Sequence, residues 1–234
     1  MAWNCAYCSY VSGIKPLTYA YYDSLNVAAY VADLGNGVGV VSFRGTQETS
    51  LKNWIADLEA AKTTPLAGCE GCEVHEGFHN SYMGLQQQIL NGLNGVEGLS
   101  SLIITGHSLG AAMAALCAWD LSNRGFNVET VYTFGQPRVG NPAFATAYAS
   151  YVPEYRVVHH DDIVPHLPPE ALGFHHVPTE VWYSEDSSTY QVCDGSGEDD
   201  NCSDSVSFIH FSVDDHLDYL NIKMGGCEPP STSA

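Results

Sequence analysis

The chain is short of positive charge, of long apolar runs and of linkers. Eight Lys and Arg stand against 27 Asp and Glu in 234 residues, a formal net charge of -19 with histidine neutral. Such a chain repels phosphate backbones within screening range, which argues against nucleic acid as a partner and disfavours anionic bilayers. The longest apolar stretch, around Ala111 to Ala118, is closed by Trp119 and Asp120 and is too short to cross a bilayer, so no transmembrane segment is expected. No Pro/Gly/Ser-rich linker or internal repeat interrupts the chain, and 45% of it is hydrophobic, so residues 1–234 read as one domain around one large core. The opening MAWNCAYC has no basic stretch followed by an apolar one, so no signal peptide is legible and the cysteines have to indicate the compartment.

Those eight cysteines are Cys5, Cys8, Cys69, Cys72, Cys117, Cys193, Cys202 and Cys227. Cys69 with Cys72, and Cys193 with Cys202, bracket short Gly- and Asp-rich loops, and Cys8 and Cys227 lie near opposite ends. This spacing suits disulfides and a secreted, extracellular protein. A zinc site would need a second C-x-x-C pair beside Cys69 and Cys72, and Cys5 with Cys8 supplies it only nominally because its residues read as helix. Three bridges leave Cys5 and Cys117 over, and Cys117, inside an apolar helix, is expected to be a buried free thiol.

Strands are legible in GVGVVSF, in SLIITG, in TVYTF before the break at Gly135-Gln136-Pro137, and in YRVVHH before a turn-rich loop. Between them lie helical patterns. Tyr82, Leu85, Ile89 and Leu93 recur at spacings of three and four, and SLGAAMAALCAWDLSNRG ends at Gly125 like a helix C-cap. Strands alternating with helices point to an α/β fold with a central sheet that is mostly parallel. From Trp182 onward the chain is acidic and reads as loop, with the Cys193 and Cys202 pair as the element that would keep it ordered.

The segment LIITGHSLGAA places Ser108 between Gly106 and Gly110, where a buried strand turns into a small-residue helix. Such a G-x-S-x-G elbow strains the serine backbone, and a side chain at either glycine would collide with the neighbouring strand and helix. A serine hydroxyl is a poor nucleophile at neutral pH, so the strain is useful only if a histidine and a carboxylate lie within reach. In chain order the carboxylate comes first, and Asp161 and Asp162, at the end of YRVVHHDDIVPHLPP, qualify equally. Of ten histidines, His75, His79 and His107 precede the serine or lie inside the elbow. His159, His160, His166, His175 and His176 are expected to be structural. His210 would sit on a strand face with Phe208 and Ser212, whereas His216 opens HLDYLNIK, a short terminal helix, and is preferred as the base. An oxyanion would find the backbone N–H of Leu109 and, after the earlier strand, the N–H and hydroxyl of Thr46, although a turn threonine would look the same.

Next to Thr46, SLKNWIADLEA places Leu51, Trp54, Ile55 and Leu58 on one face of a short amphipathic helix, Ser50–Ala60, with Ser50 as N-cap. Two uses fit this helix equally: a surface element packed on the core, or a lid that covers the serine in water and turns outward at lipid.

In their order, FRGT, NWIADL, VHEGF, TGHSLGAA, FGQPRVGNPAF, DIVPHLPP, GFHH and DHLDYL make nearly the whole chain resemble the fungal class 3 lipases. These are α/β-hydrolases that include triacylglycerol lipases and feruloyl esterases. The resemblance implies Ser108, Asp162 and His216 as catalytic triad, which selects Asp162 over Asp161. It also implies Thr46 and Leu109 as oxyanion hole, the helix around Trp54 as lid, and bridges Cys8–Cys227, Cys69–Cys72 and Cys193–Cys202. The chain departs from the family by opening close to Ala6-Tyr7-Cys8 without most of the usual N-terminal helix, by GHSLGAA for the commoner GHSLGGA, and by Cys5, which has no family partner. The implied function is triacylglycerol hydrolysis through an acyl-enzyme at a neutral oil–water interface, with no metal or cofactor. A feruloyl esterase on the same scaffold is the alternative within the class, and the apolar Trp54, Ile55 and Leu58 favour lipid contact over it. A lipid carrier that kept the fold and lost the reaction is the alternative outside it.

Overall fold

The computed structural model describes residues 13–64 and 69–224. The chain runs through β1 (Lys15–Tyr22), β2 (Val27–Gly35), β3 (Val38–Phe43), α1 (Glu48–Ala56), β4 (Lys62–Thr63), β5 (Val74–His75) and α2 (Glu76–Asn94). It continues with β6 (Ser101–His107), α3 (Leu109–Asn123), β7 (Val128–Phe134), α4 (Pro142–Ala149) and β8 (Glu154–His159). Last come β9 (Glu180–Tyr183), β10 (Tyr190–Val192), α5 (Val213–His216), β11 (Asp218–Tyr219) and β12 (Ile222–Lys223). Eight strands form one sheet in the order β1-β2-β3-β6-β7-β8-β9-β10. From β3 to β9 neighbours are parallel, and both edges are antiparallel, which is the expected α/β-hydrolase arrangement.

One row of side chains shows where the core lies. Val31, Val41, Ile104 and Val131 sit side by side across β2, β3, β6 and β7, and each is fully buried. Burying a side chain of this size contributes about 1.5–3 kcal/mol. On α2 the helical spacing holds, since Phe78, Tyr82, Leu85, Ile89 and Leu93 are all buried. On α3 every residue from Gly110 to Leu121 is buried, the pattern of a helix enclosed on all sides. Its one charge, Asp120, accepts from Tyr82 Oη, Gln86 Nε2 and Arg124 Nε at 2.8, 2.8 and 2.9 Å. Gly125, with φ +86°, ends the helix as the sequence suggested.

Several elements differ from their sequence-based expectation. β1 and β2 are missed because tyrosine and alanine fill positions where a pattern search looks for Val or Ile. Residues after Trp182 are not simply loop, for β9 and β10 make a hairpin whose turn is tied by Ser184 and Asp186. Its acidic continuation is held by more than a disulfide. Arg138 donates to both oxygens of Glu198 at 2.9 and 2.7 Å, and the fully buried Arg156 pairs with Glu180 and the Gly197 carbonyl. His210 lies in an exposed 3-10 turn, Phe208–His210, not on a strand. His216 closes its helix rather than opening one, because Ser212 Oγ caps the turn three residues earlier by accepting from Asp215 N–H at 3.0 Å.

Cys69–Cys72 and Cys193–Cys202 are bridged, so neither pair is free as thiolates for zinc, and Cys117 is a free thiol, fully buried. Cys5 and the expected Cys8–Cys227 bridge lie outside the described residues. Among the described residues no helix is long and apolar enough to cross a membrane.

The β6 to α3 turn is the tightest point of the fold. Ser108 takes φ 59°, ψ -130°, a conformation that a side chain tolerates only when its surroundings enforce it. A Cβ on Gly106 would stand 2.2 Å from Gly110 O, and one on Gly110 2.5 Å from Phe43 O. Gly106→Ala and Gly110→Ala should each destabilise the protein by about 3 kcal/mol in denaturant titration. Gly95→Ala, whose Cβ would meet nothing closer than 3.5 Å, should change stability by less than about 0.5 kcal/mol.

Candidate active site

Three segments meet at the C-terminal ends of the parallel strands. The β6 to α3 turn carries Ser108, the loop after β8 carries Asp162, and α5 carries His216. All three side chains are 0% exposed. His216 Nδ1 lies 2.8 Å from Asp162 Oδ2, which fixes the tautomer with the proton on Nδ1 and leaves Nε2 as the acceptor. His216 Nε2 and Ser108 Oγ are both buried with no hydrogen-bond partner, an expensive condition for polar atoms unless a reaction uses them. Asp161, the rival carboxylate, is partly exposed and faces His160 instead.

Asp162 has lost all contact with water, yet the protein holds it charged. Burial raises its pKa, but electrostatic attraction to His216 and its Nδ1–H, the hydroxyl of Tyr219 and the Val164 N–H at 2.8 Å outweigh burial and bring it below the ordinary value. Burial, and then the neighbouring carboxylate, push the Tyr219 phenol well up, so it remains a donor. Tyr219 and Gly135 were not singled out from the sequence. At Gly135 the φ of +56° was hinted at only by the break in the strand pattern, and a Cβ there would lie 2.7 Å from the His216 ring and 2.8 Å from Asp162 Oδ2.

His107, inside the elbow, is structural. Its ring lies 4.4 Å from that of His216, and its Nε2 donates to the His216 carbonyl at 2.7 Å. Burial, and next the adjacent imidazole, push its pKa down to about 3, so it adds no charge to the site. His75 caps α2, accepting from Phe78 N–H at 3.3 Å, and His176 is buried against the Pro165 carbonyl.

The loop from β3 reaches the elbow because Gly45 has no side chain, a Cβ there falling 2.7 Å from His107 O and 3.3 Å from Ser108 Cβ. Next to it, Thr46 Oγ1 is buried without a partner, and Leu109 begins α3, where backbone N–H groups are free of intrahelical acceptors. α1 starts two residues earlier and ends four earlier than expected. Its N-cap is Gln47, and Ser50 is already in the first turn with its N–H on Gln47 O, so Ser50 is not the cap. Leu51 is buried, and Trp54 and Ile55 are half-buried, while Leu58 lies beyond the helix but still packs on the core. Trp54 stacks on Phe78 at 6.3 Å, and beneath it a cavity of about 400 Å³ extends past Leu58 and Phe78 to Leu109.

A buried serine hydroxyl, an imidazole with a fixed tautomer and a charged carboxylate that orients it form an arrangement that can carry out acyl transfer. The comparisons agree. The family model described as "Lipase (class 3)" matches residues 40–172. The lipase of Rhizomucor miehei is 39% identical over 96% of this chain and 64% of its own length. The structure of the Rhizomucor miehei triacylglyceride lipase superposes with a TM-score of 0.87 at 38% identity, covering 97% of this chain and 88% of that one. Lipase II from Rhizopus niveus gives 0.90 at 33% identity, with the same coverages. A secreted mono- and diacylglycerol lipase A of Penicillium cyclopium is 35% identical over 76% of this chain and 60% of its own. The chain spans roughly half to two thirds of the length of the curated relatives it matches. With its family model, its identity to these relatives and its fold in agreement, the chain belongs to the class 3 lipases.

Proposed function

We propose that the protein is a secreted serine hydrolase of acylglycerol esters, working through an acyl-enzyme with Ser108, Asp162 and His216 as triad. The observation that carries this reading is the pair of orphaned atoms, Ser108 Oγ and His216 Nε2, beside a buried Asp162 that holds the imidazole through Nδ1. Ser108 Oγ attacks the ester carbonyl as His216 Nε2 takes its proton, and Asp162 stabilises the imidazolium that forms. The tetrahedral oxyanion is bound by the Leu109 N–H and by the N–H and hydroxyl of Thr46. His216 then protonates the departing alcohol, and the same steps with water as nucleophile release the acid. α1 is the lid, with Leu51, Trp54, Ile55 and Leu58 as the face that turns to lipid. The packing of Trp54 on Phe78 and the cavity that reaches Leu109, next to Ser108, support this reading. The net charge directs it to a neutral surface, and the disulfides, with a relative named as secreted, support export.

A fluorophosphonate should label Ser108, and Ser108→Ala should lose both the label and p-nitrophenyl ester turnover, by about 10³-fold or more in kcat. Turnover by the alanine variant at the wild-type rate would remove Ser108 as the nucleophile, and an unlabelled, inactive wild type would favour the carrier. Emulsified triglyceride should be hydrolysed in preference to methyl ferulate, with a rise in rate as a soluble ester passes its solubility limit. Preference for ferulate would assign the feruloyl esterase instead.

Tyr219→Phe removes one donor from Asp162, and should cost about 2 kcal/mol of stability at pH 7. The sign of its pH dependence follows from a carboxyl whose folded pKa is depressed: the contribution is present above the unfolded value of about 4 and lost as pH falls through the folded one. Wild type and variant should therefore converge in urea titrations at acid pH.

A further inference from the structure

A second histidine–carboxylate pair lies alongside the one assigned to catalysis, with its polarity reversed. The loop after β8 supplies His160 and Asp162, and α5 supplies Asp215 and His216, so histidine and aspartate exchange sides from one rung to the next. His160 Nδ1 lies 2.9 Å from Asp215 Oδ2, and the same carboxylate oxygen accepts from the Asp161 N–H at 3.1 Å. Backbone bonds tie the same two segments. His159 Nδ1 faces the Asp215 carbonyl at 3.1 Å, Ser212 N–H donates to Asp161 O at 2.8 Å, and Ile163 N–H donates to Ser212 O at 3.2 Å. His160 itself takes φ +40°, a conformation few side chains adopt, and Trp182 Nε1 holds its carbonyl at 2.9 Å.

We propose that His160 and Asp215 form a positioning pair for His216: protonated His160 pins Asp215, and with it the adjacent base, to the Asp162 loop, and loss of that proton loosens the base. The inference rests on the triad reading and deepens it. Asp215 is bonded directly in sequence to His216, so a shift of its carboxylate carries the imidazole with it. An angstrom of misplacement at a reacting group costs up to about 10²-fold in rate.

The charges around His160 give the device its direction. Asp161 Oδ1 stands 3.7 Å from Nε2, Asp215 lies on the other nitrogen, and Glu185 acts through space from the β9 to β10 turn. The His159 ring is 6.4 Å away, held between the Asp215 and Glu185 carbonyls. From the chain end, Lys223 is engaged with Asp218 at 2.6 Å and feels Asp214 and Asp215 only through space. Partial burial disfavours the His160 cation, but the hydrogen bond to Asp215 and the three carboxylates outweigh it and raise its pKa. A raised histidine pKa means that the ionic attraction within the pair is present below the ordinary value and is lost as pH rises through the folded one, leaving at most the Nδ1–H bond to Asp215. Above that point Asp161 and Asp215 confront each other with no cation between them.

The test is the pH dependence of kcat on a short, soluble ester, so that no interface is involved. Wild type should lose about tenfold in kcat as pH rises through the His160 titration, with KM unchanged. His160→Asn keeps an N–H near the Nδ1 position and tolerates positive φ but cannot be charged, so its alkaline limb should disappear. Asp215→Asn deprives His160 of its anion, so its limb should move to lower pH. An NMR titration of His160 in wild type should give the same midpoint as the limb, a readout that holds even if a variant fails to fold. A wild type without an alkaline limb, one limb shared by all three proteins, or a limb that departs from the His160 titration would overturn the pair. Ser108→Ala separates this outcome from failure of the triad, since it remains inactive at every pH when only the positioning pair is wrong.

Discussion

A carboxylate cut off from water has to be solvated by the protein, and Asp162 sets the terms for everything around it. Three donors do the work that a hydration shell would have done: His216 Nδ1–H, the Tyr219 hydroxyl and the Val164 N–H. Each comes from a different segment, so the charge can stay buried only if the β8 loop, α5 and the β11 strand are assembled together. Removing one partner of such a group leaves an uncompensated charge, which costs far more than the hydrogen bond itself contributes. The histidine is aligned as a by-product of this solvation, since the same contact that stabilises the Asp162 charge turns Nε2 to the other side of the ring.

The elbow places a second demand on the same region. Ser108 is held at positive φ by a turn so tight that Gly106 and Gly110 nearly touch, and the loop after β3 closes in over Gly45. Backbone groups at this junction are thus brought near the Ser108 hydroxyl by packing alone. Preorganisation of this kind avoids reorienting dipoles during a reaction at that hydroxyl.

Most of this was legible in the sequence where a residue type has only one physical use. Glycines flanking a serine between a Val/Ile run and an Ala run announce a strand–turn–helix, and the parallel β3-β6-β7-β8 order follows from strands alternating with helices. What stayed hidden depends on residues that come together only in three dimensions. Tyr219 reads as one more aromatic in HLDYL, and nothing local reveals that its hydroxyl faces Asp162 across 57 residues of chain. The choice between Asp161 and Asp162 has no local signature either, because adjacent side chains on a loop diverge and burial alone tells them apart. HLDYLNIK reads as a helix that His216 opens, whereas the Ser212 cap starts α5 at Val213 and His216 ends it.

The two buried arginines bear on what lies outside. Eight basic side chains serve this chain, and Arg138 and Arg156 are spent internally on the acidic segment around the second disulfide, while Lys62, Arg124 and Lys223 each have a carboxylate within 4.0 Å. Little cationic surface is left to hold an anion. An esterase with such an exterior would turn its own substrate droplet into a repellent one, because every ester cleaved adds a fatty carboxylate to the film. On the proposed reading, that repulsion acts across roughly 10 Å at about 0.1 M salt, so carboxylate product accumulating in the film would weaken the protein's own hold on it.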